Sequence, residues 1–81
     1  MERKEIYNII DGERDYQDTR WQSDTDQNKS IAEWLIYIEA HLNKAKNEVY
    51  HISPISAMEE IRKITALGVC AMEIHGCPER K

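Results

Sequence analysis

Two cysteines, two prolines and three glycines are all that 81 residues contain, and each shortage removes a class of structure. Cys70 and Cys77 lie in or just beyond one helical pattern, where about 1.5 Å of rise per residue sets them roughly 10 Å apart. A disulfide holds its Cα atoms within about 7 Å, so both thiols are expected to be reduced, as is usual in the cytosol. So few glycines and prolines, with no low-complexity tract and no internal repeat, leave no linker and no solenoid. No apolar run approaches the roughly 18 to 20 residues that span a bilayer, and charges scatter through Met1 to Asp15 where a signal peptide would be apolar. The expectation is a cytoplasmic protein with no membrane partner. Positive charge is short as well: 11 Lys and Arg against 15 Asp and Glu give a net charge of −4. That is the wrong sign for a long nucleic acid and leaves room only for a small basic pocket. Neither GxxxxGK[ST], nor GxGxxG, nor a serine or cysteine nucleophile motif occurs, which excludes ordinary P-loop and Rossmann sites. His41, His51 and His75 have no metal-ligand spacing, and His75-x-Cys77 supplies two ligands where structural zinc takes four.

What is present reads as one all-α domain over residues 1–81. Hydrophobic residues at 41% and charged residues at 32% make a globular rather than a disordered composition. Ile6, Ile9, Ile10 and Tyr16 recur at helical spacing and predict a helix over about 3–20. Gly12 costs it about 1 kcal/mol relative to Ala and marks Asp11-Gly12 as the place for a break. Residues 21–30 are polar and turn-forming, a loop. Ser30-Ile-Ala-Glu33 is a capping box that starts a helix over 31–51. Its apolar positions Ile31, Trp34, Leu35, Ile38, Leu42, Ala45 and Val49 follow the i, i+3, i+4, i+7 rule, which makes Trp34 a core residue. Ser53-Pro54 supplies an N-cap and a first-turn proline for a helix over 54–75, which Gly76 and Pro78 end.

The turn between these two helices is so short that they should form a long antiparallel hairpin. From Ile64 onward the last helix is apolar on nearly all sides, and one amphipathic helix cannot cover it. The surface from Leu67 to Ile74 is therefore expected to be covered by another copy of the chain, in a homo-oligomeric helical bundle.

Chemistry has to come from the polar stripes. Glu39, Asn43, Lys46 and Tyr50 line one side of the second predicted helix, and Glu59, Glu60, Arg62 and Lys63 begin the third. In a hairpin the two stripes either meet as a mixed patch or stand separately as solvated faces. At the loop edge, Arg20 could fork onto a phosphate and Trp21 could stack on a base, or Trp21 could simply pin the loop. Tyr37 and Tyr50 fit either a packing or a binding role.

Glu13-Arg-Asp-Tyr-Gln-Asp-Thr-Arg-Trp21, then Glu33-Trp-Leu35, then Glu59-Glu-Ile-Arg-Lys-Ile-Thr-Ala-Leu-Gly-Val69 running on to Met72-Glu-Ile-His-Gly76 resembles, in pattern, small phage-type members of the all-alpha nucleotide pyrophosphohydrolase, or MazG-like, superfamily. The resemblance covers about residues 13–80 and implies a helical oligomer. It also implies Mg²⁺-dependent hydrolysis of nucleoside triphosphates, on an EExxE motif in one helix and ExxD in the next. Here the first motif reads Glu39-Ala40-His41-Leu42-Asn43 and the second Glu60-Ile-Arg-Lys63. Glu39 and Glu60 remain as metal ligands for an enzyme, but an ammonium stands where the aspartate should be. Magnesium wants several hard carboxylate oxygens, whereas a lysine can neutralise a phosphate directly. The expectation is thus a non-catalytic nucleotide-binding oligomer without a cofactor, phage-encoded and anti-defence in role, sequestering a nucleotide or cyclic-nucleotide signal like a sponge. Its ligand-binding residues would be Arg20, Trp21, Asn43, Lys46, Tyr50, Arg62 and Lys63. The alternatives are a Mg²⁺-dependent pyrophosphohydrolase, in which Glu48 and Glu59 would join the two retained acids, and a helical protein that binds a host protein.

Overall fold

A computed structural model describes residues 1–20 and 28–80. Among them the ordered elements are helices: α1, Arg3–Arg20; α2, Ile31–His51; and α3, Pro54–His75. The helix ends follow from their capping residues. Ser30 Oγ accepts from the Glu33 amide at 3.1 Å while the Glu33 carboxylate accepts from the Ser30 amide at 3.0 Å, closing the capping box. That contact holds the Glu33 carboxyl below its usual value. Ser53 Oγ caps α3 through the Ser56 amide at 3.1 Å, and Pro54 takes the first turn, where no amide partner is needed. Gly76, at φ 95°, ends α3 with its amide on the Met72 carbonyl. That dihedral suits glycine and few other residues. Gly12 does not break α1, which runs continuously through it. Most of the predicted loop, residues 21–27 with Trp21 among them, lies outside the described residues.

The core is built where α2 meets α3. Trp34, Leu67 and Cys70 are buried together, with Tyr37, Ile38, Ala71 and Ile74 packed against them. Each large apolar side chain removed from water there contributes about 1.5–3 kcal/mol. Neither cysteine is in a disulfide among the described residues. Helix α1 packs on α3 with Ile10, Arg14 and Gln17 buried, and its attachment is largely polar. Arg14 forks onto Glu73 at 2.8 and 3.1 Å and reaches Asp18 at 2.9 Å. On another part of α3, Arg62 Nε donates to Glu13 at 2.9 Å, and Gln17 donates to the Lys63 carbonyl at 3.4 Å.

Two packing expectations need correction. Ile31, Leu35, Leu42 and Val49 of the predicted core stripe are exposed. Residues 31, 35, 38, 42, 45, 49 and residues 34, 38, 41, 45, 48 form adjoining lines on α2, sharing Ile38 and Ala45. The structure turns the second line inward, so that His41 and Glu48 replace Leu42 and Val49 against α3. A matching polar partner on α3, Glu60, makes that rotation possible. The surface of α3 from Leu67 to Ile74 is also largely covered by its own chain. Leu67 and Cys70 are in the core, Ala71 and Ile74 pack on it, and Met72 is the large apolar side chain left exposed. The uncovered apolar surface lies instead on α2 and on the first half of α3, at Ile55, Met58 and Ile61. There an apolar groove of about 560 Å³ runs between α1 and α3, with Ile6 and Ile9 on its other wall.

Candidate functional site

The polar line of α2 meets the first turns of α3 around one carboxylate. Glu60 is 1% exposed, and a buried carboxylate needs partners for its charge. His41 Nδ1 lies 2.5 Å from Oε1. The ammonium groups of Lys44 and Lys63 lie 3.7 and 3.8 Å from Oε2. The lysines arrive by helical geometry: Lys44 is one turn beyond His41 on α2, and Lys63 one turn beyond Glu60 on α3. Burial pushes the Glu60 carboxyl up, but the His41 hydrogen bond and the charges of Lys63 and Lys44 outweigh it and hold the group below its usual value. The carboxylate is therefore ionised at neutral pH, and it faces two lysine ammonium groups and an imidazole.

The imidazole is held on its face as well as its edge. Tyr37 stacks on His41 with ring centroids 5.2 Å apart and planes 14° off parallel, and Trp34 stacks on Tyr37 at 6.1 Å. The Lys29 ammonium sits over the Trp34 and Tyr37 rings, at 5.3 and 5.1 Å. The Lys29 carbonyl meets His75 Nε2 at 2.9 Å, tying the approach to α2 to the end of α3. Seven residues beyond His41, Glu48 is buried with its Oε1 unpartnered among the described residues, as is the Trp34 indole nitrogen.

Of the expected ligand-binding residues, Lys63 belongs to this cluster. Arg62, its neighbour, is turned to Glu13 of α1. Asn43, Lys46 and Tyr50 are exposed on α2, Arg20 is exposed at the end of α1, and Trp21 falls outside the described residues. Glu39 is exposed, whereas Glu60 is buried and engaged by His41 and the lysines. The donor set does not fit magnesium: the buried Glu60 faces ammonium groups, and no cluster of three or more metal-ligating side chains exists among the described residues. His41 and Lys44 lie outside the acid positions of the resembled motif, which does not point to them. The signal that finds them is their spacing, since 41, 44 and 48 fall on one side of a helix. Comparison with protein-family models, with curated proteins and with solved structures gives no match.

Proposed function

We propose that this chain binds a nucleotide through its phosphates, without metal, as a subunit of a homo-oligomer, and that it sequesters a nucleotide or cyclic-nucleotide signal rather than hydrolysing it. One observation carries the reading: two lysines and a histidine surround Glu60, and one of them, Lys63, stands where the resembled enzymes hold an acid for magnesium. Such a group attracts a phosphate and repels a divalent cation. An antiparallel α2–α3 hairpin would set Asn43, Lys46 and Tyr50 along the side of the same element, within the reach of a ligand that extends beyond the phosphate. Burying the apolar residues of α2 against a second copy would offset their exposure to water. The phage origin and anti-defence role of this reading rest on the resemblance and on analogy alone, and its cytoplasmic setting on the sequence expectation.

A protein-binding role is the second reading, favoured by the groove lined by Ile6, Ile9, Ile55, Met58 and Ile61. The test incubates purified protein with nucleoside triphosphates and cyclic oligonucleotides, with and without Mg²⁺, then denatures it and identifies what is released. Recovery of unchanged ligand supports sequestration. Monophosphate and pyrophosphate formed only with Mg²⁺ would overturn it in favour of pyrophosphohydrolysis, and retention of nothing would leave the protein-binding reading.

A further inference from the structure

His41 is held on its edge by Glu60 and on its face by Tyr37, which orients the ring as well as answering the charge of Glu60. An ionised carboxylate only accepts hydrogen bonds, so the proton shared with Glu60 sits on Nδ1 of His41. In the neutral ring the lone pair is then on Nε2. Glu60 and the stacked Tyr37 ring fix the imidazole in position, and the side chain keeps 22% of its surface open to solvent. The two lysine side chains on the far oxygen of Glu60 are more open, at 60% for Lys44 and 37% for Lys63, on the side from which an anion would approach. A buried carboxylate that orients an imidazole, with cations beside it, is the arrangement that activates a histidine for attack. Neither other histidine has it: the Lys29 carbonyl meets Nε2 of His75, and His51 is exposed at the end of α2.

We propose that His41 accepts a phosphoryl group at Nε2 from the terminal phosphate of a nucleoside triphosphate. The choice of donor rests on the nucleotide-binding part of the reading above and departs from sequestration of an unchanged ligand; the choice of acceptor rests on neither. Nε2 attacks the terminal phosphorus, an N–P bond forms, and the P–O bond to the bridging oxygen breaks. The nucleoside diphosphate leaves with that electron pair. The Nδ1 proton stays in its bond to Glu60, whose charge compensates the phosphorylated imidazolium, while Lys44 and Lys63 neutralise the phosphoryl oxygens.

The first experiment treats the full chain with phosphoramidate, a small donor that needs no nucleotide site, and maps the modified histidine by mass spectrometry at neutral pH. The expected product is one acid-labile phosphoryl group on His41, formed ahead of any on His51 or His75 despite their exposure. Glu60→Gln, checked for helicity, should slow labelling at His41 by about tenfold or more, as removal of a partner that orients a histidine usually does, with His51 unchanged. Lys63→Ala should slow it without changing the site. Equal labelling of the three histidines overturns the proposal. The second experiment uses a nucleoside triphosphate labelled in its terminal phosphate beside a non-hydrolysable analogue. Label on His41 matched by released diphosphate supports transfer. Analogue binding without transfer overturns the proposal and leaves nucleotide binding intact. Selective phosphoramidate labelling without analogue binding supports His41 as acceptor and overturns the nucleotide reading.

Discussion

Helix α1 should come away from α3 when the contact between Arg14 and Glu73 is cut, and the size of the effect follows from how unevenly that pair is buried. The guanidinium side is 8% exposed while the carboxylates of Glu73 and Asp18 are 52% and 57% exposed. Removing one partner of a fully buried pair costs about 3–5 kcal/mol. A fully exposed pair is worth about 0.2–1 kcal/mol. Asp18 and Gln17 remain on the guanidinium after Glu73 is changed, so Glu73→Gln should cost about 1–2 kcal/mol, between those limits. Arg14→Met removes the charge and keeps most of the volume, leaving Glu73 to water. A double-mutant cycle of Arg14→Met and Glu73→Gln, followed by urea unfolding in far-UV circular dichroism, should then give a coupling of about 1 kcal/mol. On a domain this small each kcal/mol moves the Tm by about 4–8 °C. Additivity of the two changes within about 0.3 kcal/mol would refute the reasoning and leave Ile10 and its apolar neighbours as what docks α1.

The buried Oε1 of Glu48, unpartnered among the described residues, predicts that Glu48→Met raises stability by about 1 kcal/mol or more, since an apolar side chain of similar size has no desolvation to recover; a lower urea midpoint would contradict this. Glu60 and Glu73 both have folded pKa values below the ordinary 4.5, Glu60 despite its burial and Glu73 through its bond to Arg14. Their contribution is therefore complete above about pH 4.5 and is lost as pH falls through the folded values. Glu60→Gln should flatten that part of a Tm-against-pH curve. Leu35→Lys together with Leu42→Lys alters exposed positions of α2, so the monomer should keep its Tm under dilute conditions while any oligomer seen by light scattering dissociates. Dissociation accompanied by loss of helix would mean that these residues support the fold of the single chain.

Helix boundaries were legible because they depend on neighbours in sequence: Ser30 with Glu33, Ser53 with Pro54, and Gly76 after His75 each act within a turn. Which side of α2 turns inward was not. Both adjoining lines contain Ile38 and Ala45, and hydrophobicity alone prefers the one through Leu35 and Leu42. The decision rests on Glu60, whose charge needs His41 and Lys44 from a helix nineteen and sixteen residues away in sequence. Long-range pairing of that kind leaves no local periodicity. The same holds for Arg14, an acid-flanked arginine on α1 whose burial is visible only when Glu73 is brought to it. For the site, Lys63 stood out because it occupies an acid's place in a resembled motif. His41 falls at an unspecified position of the resembled motif, between Ala40 and Asn43, so nothing in that pattern marks it as the partner of Glu60.

The stack of Trp34, Tyr37 and His41 has a practical consequence. Trp34 is buried and lies two rings from the imidazole, and an indole's emission responds to the electric field along its long axis. Charge added at His41, whether by a phosphate laid beside it or bound to it, changes that field without moving the tryptophan. With Trp21 replaced by phenylalanine, Trp34 alone would serve as an optical gauge of the site, so occupancy can be followed in real time on unlabelled protein.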